Sequence, residues 1–195
     1  MNNKRIALAI NYNYPDYGGM LQAYALFRTI KKLGYSPEAI NIGAISNDIK
    51  FRKIMYFIMN FHDFSVVSEK SQVVLKKIIK IFNRELYLNL EKRYSAFVKF
   101  YKEKFVVSEK YNNWSSLSSA CRKYSAVIVG SDQLWLPSNI AGDFYTLAFV
   151  PDDVKKISYA TSFGVSKMPK KQKKKVSRFL NRIDFISARE ETGKE

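Results

Sequence analysis

The chain has 195 residues, 47% of them apolar and 15% aromatic, a composition that suits a packed core and excludes a disordered chain. Its formal charge of +16 calls for anionic surroundings, whether nucleic acid, phosphorylated ligands or an acidic membrane surface, without choosing among them. One cysteine, Cys121, and one histidine, His62, exclude an intramolecular disulfide and provide neither a metal cluster nor a Cys/His nucleophile pair.

The first apolar run, KRIALAIN at 4–11, is too short for a signal peptide's hydrophobic region and reads as a buried strand, since its Ile, Leu and Ile come without polar alternation. Gly18-Gly19 then punctuates the chain. A helix is expected from Leu21 to Leu33, with Leu21, Tyr24 and Ala25 packed on the sheet and Gly34 as its C-terminal cap. YSPEAINIG, 35–43, reads as a second strand.

From about 47 to 104, aromatic and β-branched residues mix with Lys and Arg; Val74, Ile78, Ile81 and Phe82 keep helical spacing, so two or three amphipathic helices are expected as an insertion. IMYFIMNF, 54–61, is the most apolar stretch and falls far short of the roughly 20 residues that cross a bilayer. These features suggest a cytoplasmic protein. A short helix is expected at 114–124, a buried strand at 125–130, strand-like stretches at 144–150 and 155–164, a lysine-rich solvated helix from Lys167, and a last strand at 184–190. Strands alternating with helices argue an α/β fold, a Rossmann-like doubly wound parallel sheet, filling residues 1–190 as one domain.

In such sheets ligands bind at the carboxyl ends of the strands. Three loops fall there. Gly18-Gly19 before a helix would let a backbone approach a phosphate or carboxylate, or would be a plain turn. GSDQLW, 130–135, sets a hydroxyl, a carboxylate, an amide and an indole beyond a strand, which suits a sugar; equally, Ser131 or Asp132 would cap the next helix. SYATSFG, 158–164, would admit a phosphate or sugar hydroxyls, or turn tightly. His62 fits a packed or surface residue better than a catalyst. Lys170, Lys171, Lys173, Lys174, Lys175 and Arg178 lack aromatic interleaving and match no nucleic-acid module, so nucleic acid is not the expected partner; a solvated face resting on anionic headgroups is.

Taken together, YGGMLQAYAL, SAVIVGSDQLW, KKISYATSFG and DFISARE, in this order and spacing, resemble the polysaccharide pyruvyl transferase family across nearly the whole chain. Asp16 stands where that family more often has Asn, and Ser125 where an acidic residue is frequent. The resemblance implies a glycosyltransferase-B-like pair of Rossmann-like domains that moves the enolpyruvyl unit of phosphoenolpyruvate, as co-substrate and with no other cofactor, onto a sugar as a ketal. It also implies longer chains, so this one is expected to be the N-terminal, acceptor-side half of an exopolysaccharide or cell-envelope enzyme, lacking its C-terminal domain and inactive alone.

By the same resemblance, Tyr17, Gly18 and Gly19 line the cleft and Gln22 faces it. Asp132 hydrogen-bonds or deprotonates an acceptor hydroxyl, with Gly130, Ser131, Gln133 and Trp135 shaping the sugar subsite. Thr161, Ser162 and Gly164 form the opposite wall, and Arg189 either meets the anionic donor or pairs with Glu190. The acceptor would be a saccharide or lipid-linked saccharide at the inner face of the plasma membrane. Two other readings compete: a nucleotide-sugar glycosyltransferase domain, and a non-catalytic basic binding module.

Overall fold

Residues 4–60 and 84–193 are described by a computed structural model. Their strands are β1 Arg5–Ala9, β2 Ser36–Asn41, β3 Val107–Lys110, β4 Ala126–Asp132, β5 Lys155–Thr161 and β6 Phe185–Ala188. They form one sheet in the order β3-β2-β1-β4-β5-β6, with every neighbouring pair parallel. The expected doubly wound α/β sheet is therefore present.

Successive side chains of a strand point to opposite faces, and here both faces are covered. Ile6, Leu8, Ile10, Ala126 and Ile128 meet helices α1 (Tyr17–Lys32) and α3 (Arg84–Lys104) through Met20, Ala23, Leu26, Phe27, Ile30 and Phe97. Ala7, Ala9, Val127 and Val129 face the other cluster, which takes Ile45 and Ile49 at α2 (Ser46–Met59), Leu117 and Cys121 of α4 (Trp114–Cys121), Ile140 of α5 (Pro137–Ala141) and Phe179 of α6 (Lys170–Leu180). Asn113 caps α4, its side chain accepting from Ser116 N while Ser116 Oγ accepts from Asn113 N.

Three expectations change. Helix α1 begins at Tyr17 rather than Leu21, because the Asp16 carboxylate accepts the Gly19 N–H at 2.7 Å and so caps the helix one turn earlier. Its inner face is consequently Met20, Ala23, Leu26, Phe27 and Ile30, while Leu21 and Ala25 are exposed and Tyr24 is half-buried. The stretch 144–150 is no strand: Phe144–Thr146 is a short 3-10 helix between Asp143 and Leu147, both at positive φ, and it plugs the core instead of joining the sheet. Finally, β3 forms an unforeseen edge strand. The spacing at Val74, Ile78, Ile81 and Phe82, and His62, lie outside the described residues.

Gly34 stands just past α1 at φ +85° with its N–H donated to Lys31 O, as expected of a glycine cap. Cys121 is buried, and burial pushes its thiol up to about 12, a shift that Arg122 opposes. A raised pKa leaves almost no thiolate at neutral pH, and thiolate is the reactive form. At pH 8 a disulfide reagent should therefore titrate no thiol in the native protein and one in denaturant; fast labelling of native protein would contradict this burial.

Candidate functional site

The strand order reverses direction at β1 and β4: from β1 the chain winds outward through β2 to β3, then returns to β4 on the other side of β1. A doubly wound sheet opens a crevice at this switch, at the carboxyl ends of those two strands. Asn11 follows β1, and Gly130, Ser131 and Asp132 close β4.

The first turn of α1 stands directly over the end of β4. A Cβ built on buried Gly19 would lie 2.9 Å from Asp132 Oδ2, 2.9 Å from Asp16 Oδ2 and 3.1 Å from Asn11 Nδ2. The two carboxylate oxygens are thus no more than twice that distance apart, with an amide beside them. The absent side chain of Gly19 is what lets helix and strand approach. Asp132 is half-buried, and its carboxylate makes no hydrogen bond or ion pair among the described residues. The Tyr145 phenol is held protonated well above its ordinary range, by burial first and then by the charge of Asp132 and by Tyr12. Burial likewise pushes the Tyr12 phenol up to about 12. The crevice therefore presents carboxylates, an amide and neutral phenols, with no cation among the groups just named.

Local backbone geometry holds Asp132 in place. Gly130 has φ +144°, and a Cβ there would stand 2.0 Å from the carbonyl oxygen of Tyr159 in the neighbouring strand. The Gly130–Ser131 peptide is cis. Asp132 O accepts from Ser162 N at 2.9 Å and from Leu134 N at 2.7 Å, and Trp135 N donates to Ser162 O at 3.0 Å. The loop after β4 is thus laced to the end of β5.

The remaining expected residues separate into distinct places. Tyr17 is exposed and stacks at 4.7 Å on Phe97 of α3, with Arg93 over its ring, while Arg93 also donates to Pro15 O at 3.2 Å. Gly18 is exposed at the same helix start, and Ser131 is half-buried beside Asp132. Gln22 is half-buried; its Oε1 is shielded from solvent and unpartnered. Gln133 and Gly164 line a different hollow, a groove of about 980 Å³ bounded also by Phe163, Lys173, Val176 and Glu190. Neither Gly19 nor Asp132 lines that groove. The switch point is the better site, because it gathers polar groups from two strand ends, whereas the groove is walled mainly by one loop and one helix.

Three expectations are corrected here, for Trp135, for Thr161 with Ser162, and for the Gly19 N–H, and one open choice, at Arg189, is narrowed. Trp135 is fully buried, its Nε1 donating to Tyr145 O at 3.0 Å and its ring packed on Phe163 and Phe179, so it offers no face to a sugar. Thr161 and Ser162 are fully buried as well: Thr161 Oγ1 donates to Val129 O at 3.2 Å, and Ser162 Oγ accepts from Gly164 N at 3.0 Å. These hydroxyls tie strands and turn together instead of forming a wall. Of the two roles open to Arg189, the pairing is observed: its Nε lies 3.4 Å from Glu190 Oε1. The N–H expected to cradle an anion at Gly19 is taken by Asp16.

Asn11 and Tyr145 were missed. Asn11 was readable as a polar residue just past a buried strand; Tyr145 had no such signal, since FYTLAFV resembles a strand.

A family model described as Polysaccharide pyruvyl transferase matches residues 16–195. No curated protein and no solved structure matches the chain.

Proposed function

The chain belongs to the polysaccharide pyruvyl transferase family, and on that premise we propose that its switch-point crevice receives the acceptor saccharide of a ketal-forming transfer from phosphoenolpyruvate. The observation that supports this most is the meeting of Asp132, Asp16 and Asn11 over Gly19. Two carboxylates repel a phosphate and a carboxylate, yet they accept hydrogen bonds readily from sugar hydroxyls. Such a crevice suits a neutral, hydroxyl-rich ligand, and the anionic donor needs cations from elsewhere in the protein.

In the reaction, C2 of the enolpyruvyl unit gains bonds to two sugar oxygens, its methylene carbon gains a proton to become a methyl group, and phosphate leaves. Of the two hydroxyl protons displaced, one balances the new methyl and the other leaves with phosphate. Asp132, unpaired and beside Asn11, takes the proton from the attacking hydroxyl as general base. Asn11 orients the same hydroxyl, and the protonated Tyr145 phenol donates a hydrogen bond nearby. On this reading the acceptor is a saccharide, free or lipid-linked, of a cell-surface polymer, and the reaction takes place on the cytoplasmic side of the membrane.

Thermal unfolding at fixed salt tests the assignment, since a ligand that binds the native state alone raises the midpoint. A saccharide acceptor should raise the midpoint, and a nucleotide diphosphate sugar should leave it unchanged. The opposite result would favour a nucleotide-sugar glycosyltransferase, and no response to any saccharide would remove the acceptor reading.

Gly19→Ala gives a sharper check. Alanine favours a helix by up to about 1 kcal/mol over glycine, and the atoms its methyl would meet are the movable ends of side chains, so stability should hold within about 1 kcal/mol. The methyl must displace both carboxylates, so the saccharide-induced midpoint shift should vanish. Normal binding by this variant would place the acceptor elsewhere.

A further inference from the structure

Helix α2 carries an apolar stripe on its outer face as well as Ile49 on its inner one. Phe51, Ile54, Met55, Ile58 and Met59 recur at helical spacing on one stripe, and all are exposed, with Phe51 at 61%, Ile58 at 63% and Met59 at 69%. Arg52 and Lys53 turn inward, Arg52 binding Asp48 and Asp143 and Lys53 donating to Asn139 Oδ1, while Lys50 is exposed beside the stripe. A surface helix ordinarily buries its apolar stripe and wets its charges. Here the inner face already holds Ile49 in the core together with these polar contacts, and a second, unburied apolar stripe is what the helix presents.

A second observation says what this stripe meets. Asp143 is shared, its Oδ2 lying 2.6 Å from Arg52 Nη1 and its Oδ1 2.6 Å from Lys175 Nζ. One carboxylate thus fastens α2 to α6, whose Lys170, Lys171, Lys173, Lys174 and Arg178 are all exposed. An apolar stripe rich in Ile, Met and Phe next to a dense cationic helix, on a chain of formal charge +16, complements a surface that is anionic outside and apolar just beneath. No described helix is long and apolar enough to cross a membrane, so contact would be from one side.

We infer that α2 and α6 together form a docking surface for an anionic lipid bilayer, the stripe of α2 entering the headgroup boundary and the lysines of α6 neutralising acidic headgroups. An isologous contact between two copies would set the lysines of one α6 against those of the other. Duplex nucleic acid would use the lysines and leave the stripe in water.

Flotation of the whole chain tests this with two kinds of vesicle, phosphatidylcholine alone and phosphatidylcholine containing about one third phosphatidylglycerol. The protein should float with the anionic vesicles, and raised salt should weaken the binding. Ile54→Glu/Ile58→Glu and, separately, Lys171→Glu/Lys174→Glu should each reduce vesicle affinity about tenfold or more. All four positions are exposed, so unfolding midpoints should be unchanged; Phe51→Ser supplies a milder variant of the stripe should the glutamate pair disturb folding.

Flotation unaffected by the stripe variants would overturn the inference in favour of charge alone, as would equal binding to duplex DNA. Absence of flotation, or a dimer dispersed by Ile54→Glu/Ile58→Glu, would overturn it as well. Neither phosphoenolpyruvate nor saccharide enters this assay, so its failure leaves the acceptor assignment standing and the reverse also holds.

Discussion

Gly130→Ala is expected to abolish the native fold, with a loss above about 4 kcal/mol, read as insoluble protein or as a chain lacking a cooperative unfolding transition. Two effects add. The residue sits at φ +144°, which side chains rarely adopt, and the new methyl would stand 2.0 Å from the carbonyl oxygen of Tyr159. That oxygen belongs to the paired backbone of β5, so relief requires parting β4 from β5. Gly34→Ala separates the contributions: φ is +85° there, but nothing lies within 4 Å of the added carbon. It should cost only about 1–2 kcal/mol, the price of the backbone conformation alone. If both variants were equally stable, the contact with Tyr159 would not be the cause.

On the proposed reading, Asp132→Asn in a protein that carries the donor site as well is expected to lower the rate of pyruvyl transfer by about 10²–10⁴ while the fold is kept. The amide keeps the shape of the carboxylate but cannot take a proton. Because the Asp132 side chain makes no hydrogen bond among the described residues, folding has little invested in it, and the unfolding midpoint should shift by less than about 0.5 kcal/mol's worth. The measurement is phosphate release from phosphoenolpyruvate in the presence of the saccharide acceptor, with acceptor binding followed separately. Retained turnover would assign the proton to another group; lost acceptor binding with normal proton transfer would make Asp132 a binding residue.

The parallel core was legible because its strands are fully buried. β1 and β4 carry unbroken apolar runs that have no other use, and α1 between β1 and β2 completes a unit that sequence punctuation makes plain. β3 was not legible: three of its four residues, Ser108, Glu109 and Lys110, are polar, since an edge strand buries little. The segment 144–150 misled because its apolar residues are buried by plugging a gap, and periodicity cannot distinguish that from a strand. At the site, the end of a buried strand was enough to put Asp132 at the switch-point crevice. Trp135 was misassigned because loop tryptophans suit both sugars and cores, and only the packing of Phe163 and Phe179 around it decides. On α1 the inner stripe is Met20, Ala23, Phe27 and Ile30, and Leu21 and Tyr24 could not be told from it by pattern because they are apolar as well.

Gln172 gives the molecule a mechanical property. It is buried on the inner side of α6, and its Nε2 donates at 2.7 Å to Pro137 O, at the end of the loop that leaves Asp132 and Gln133. Its Oε1 has no partner, so the amide is held by that single contact. The loop that carries Asp132 and the helix that carries the lysines are therefore joined, at this point, by one amide hydrogen bond.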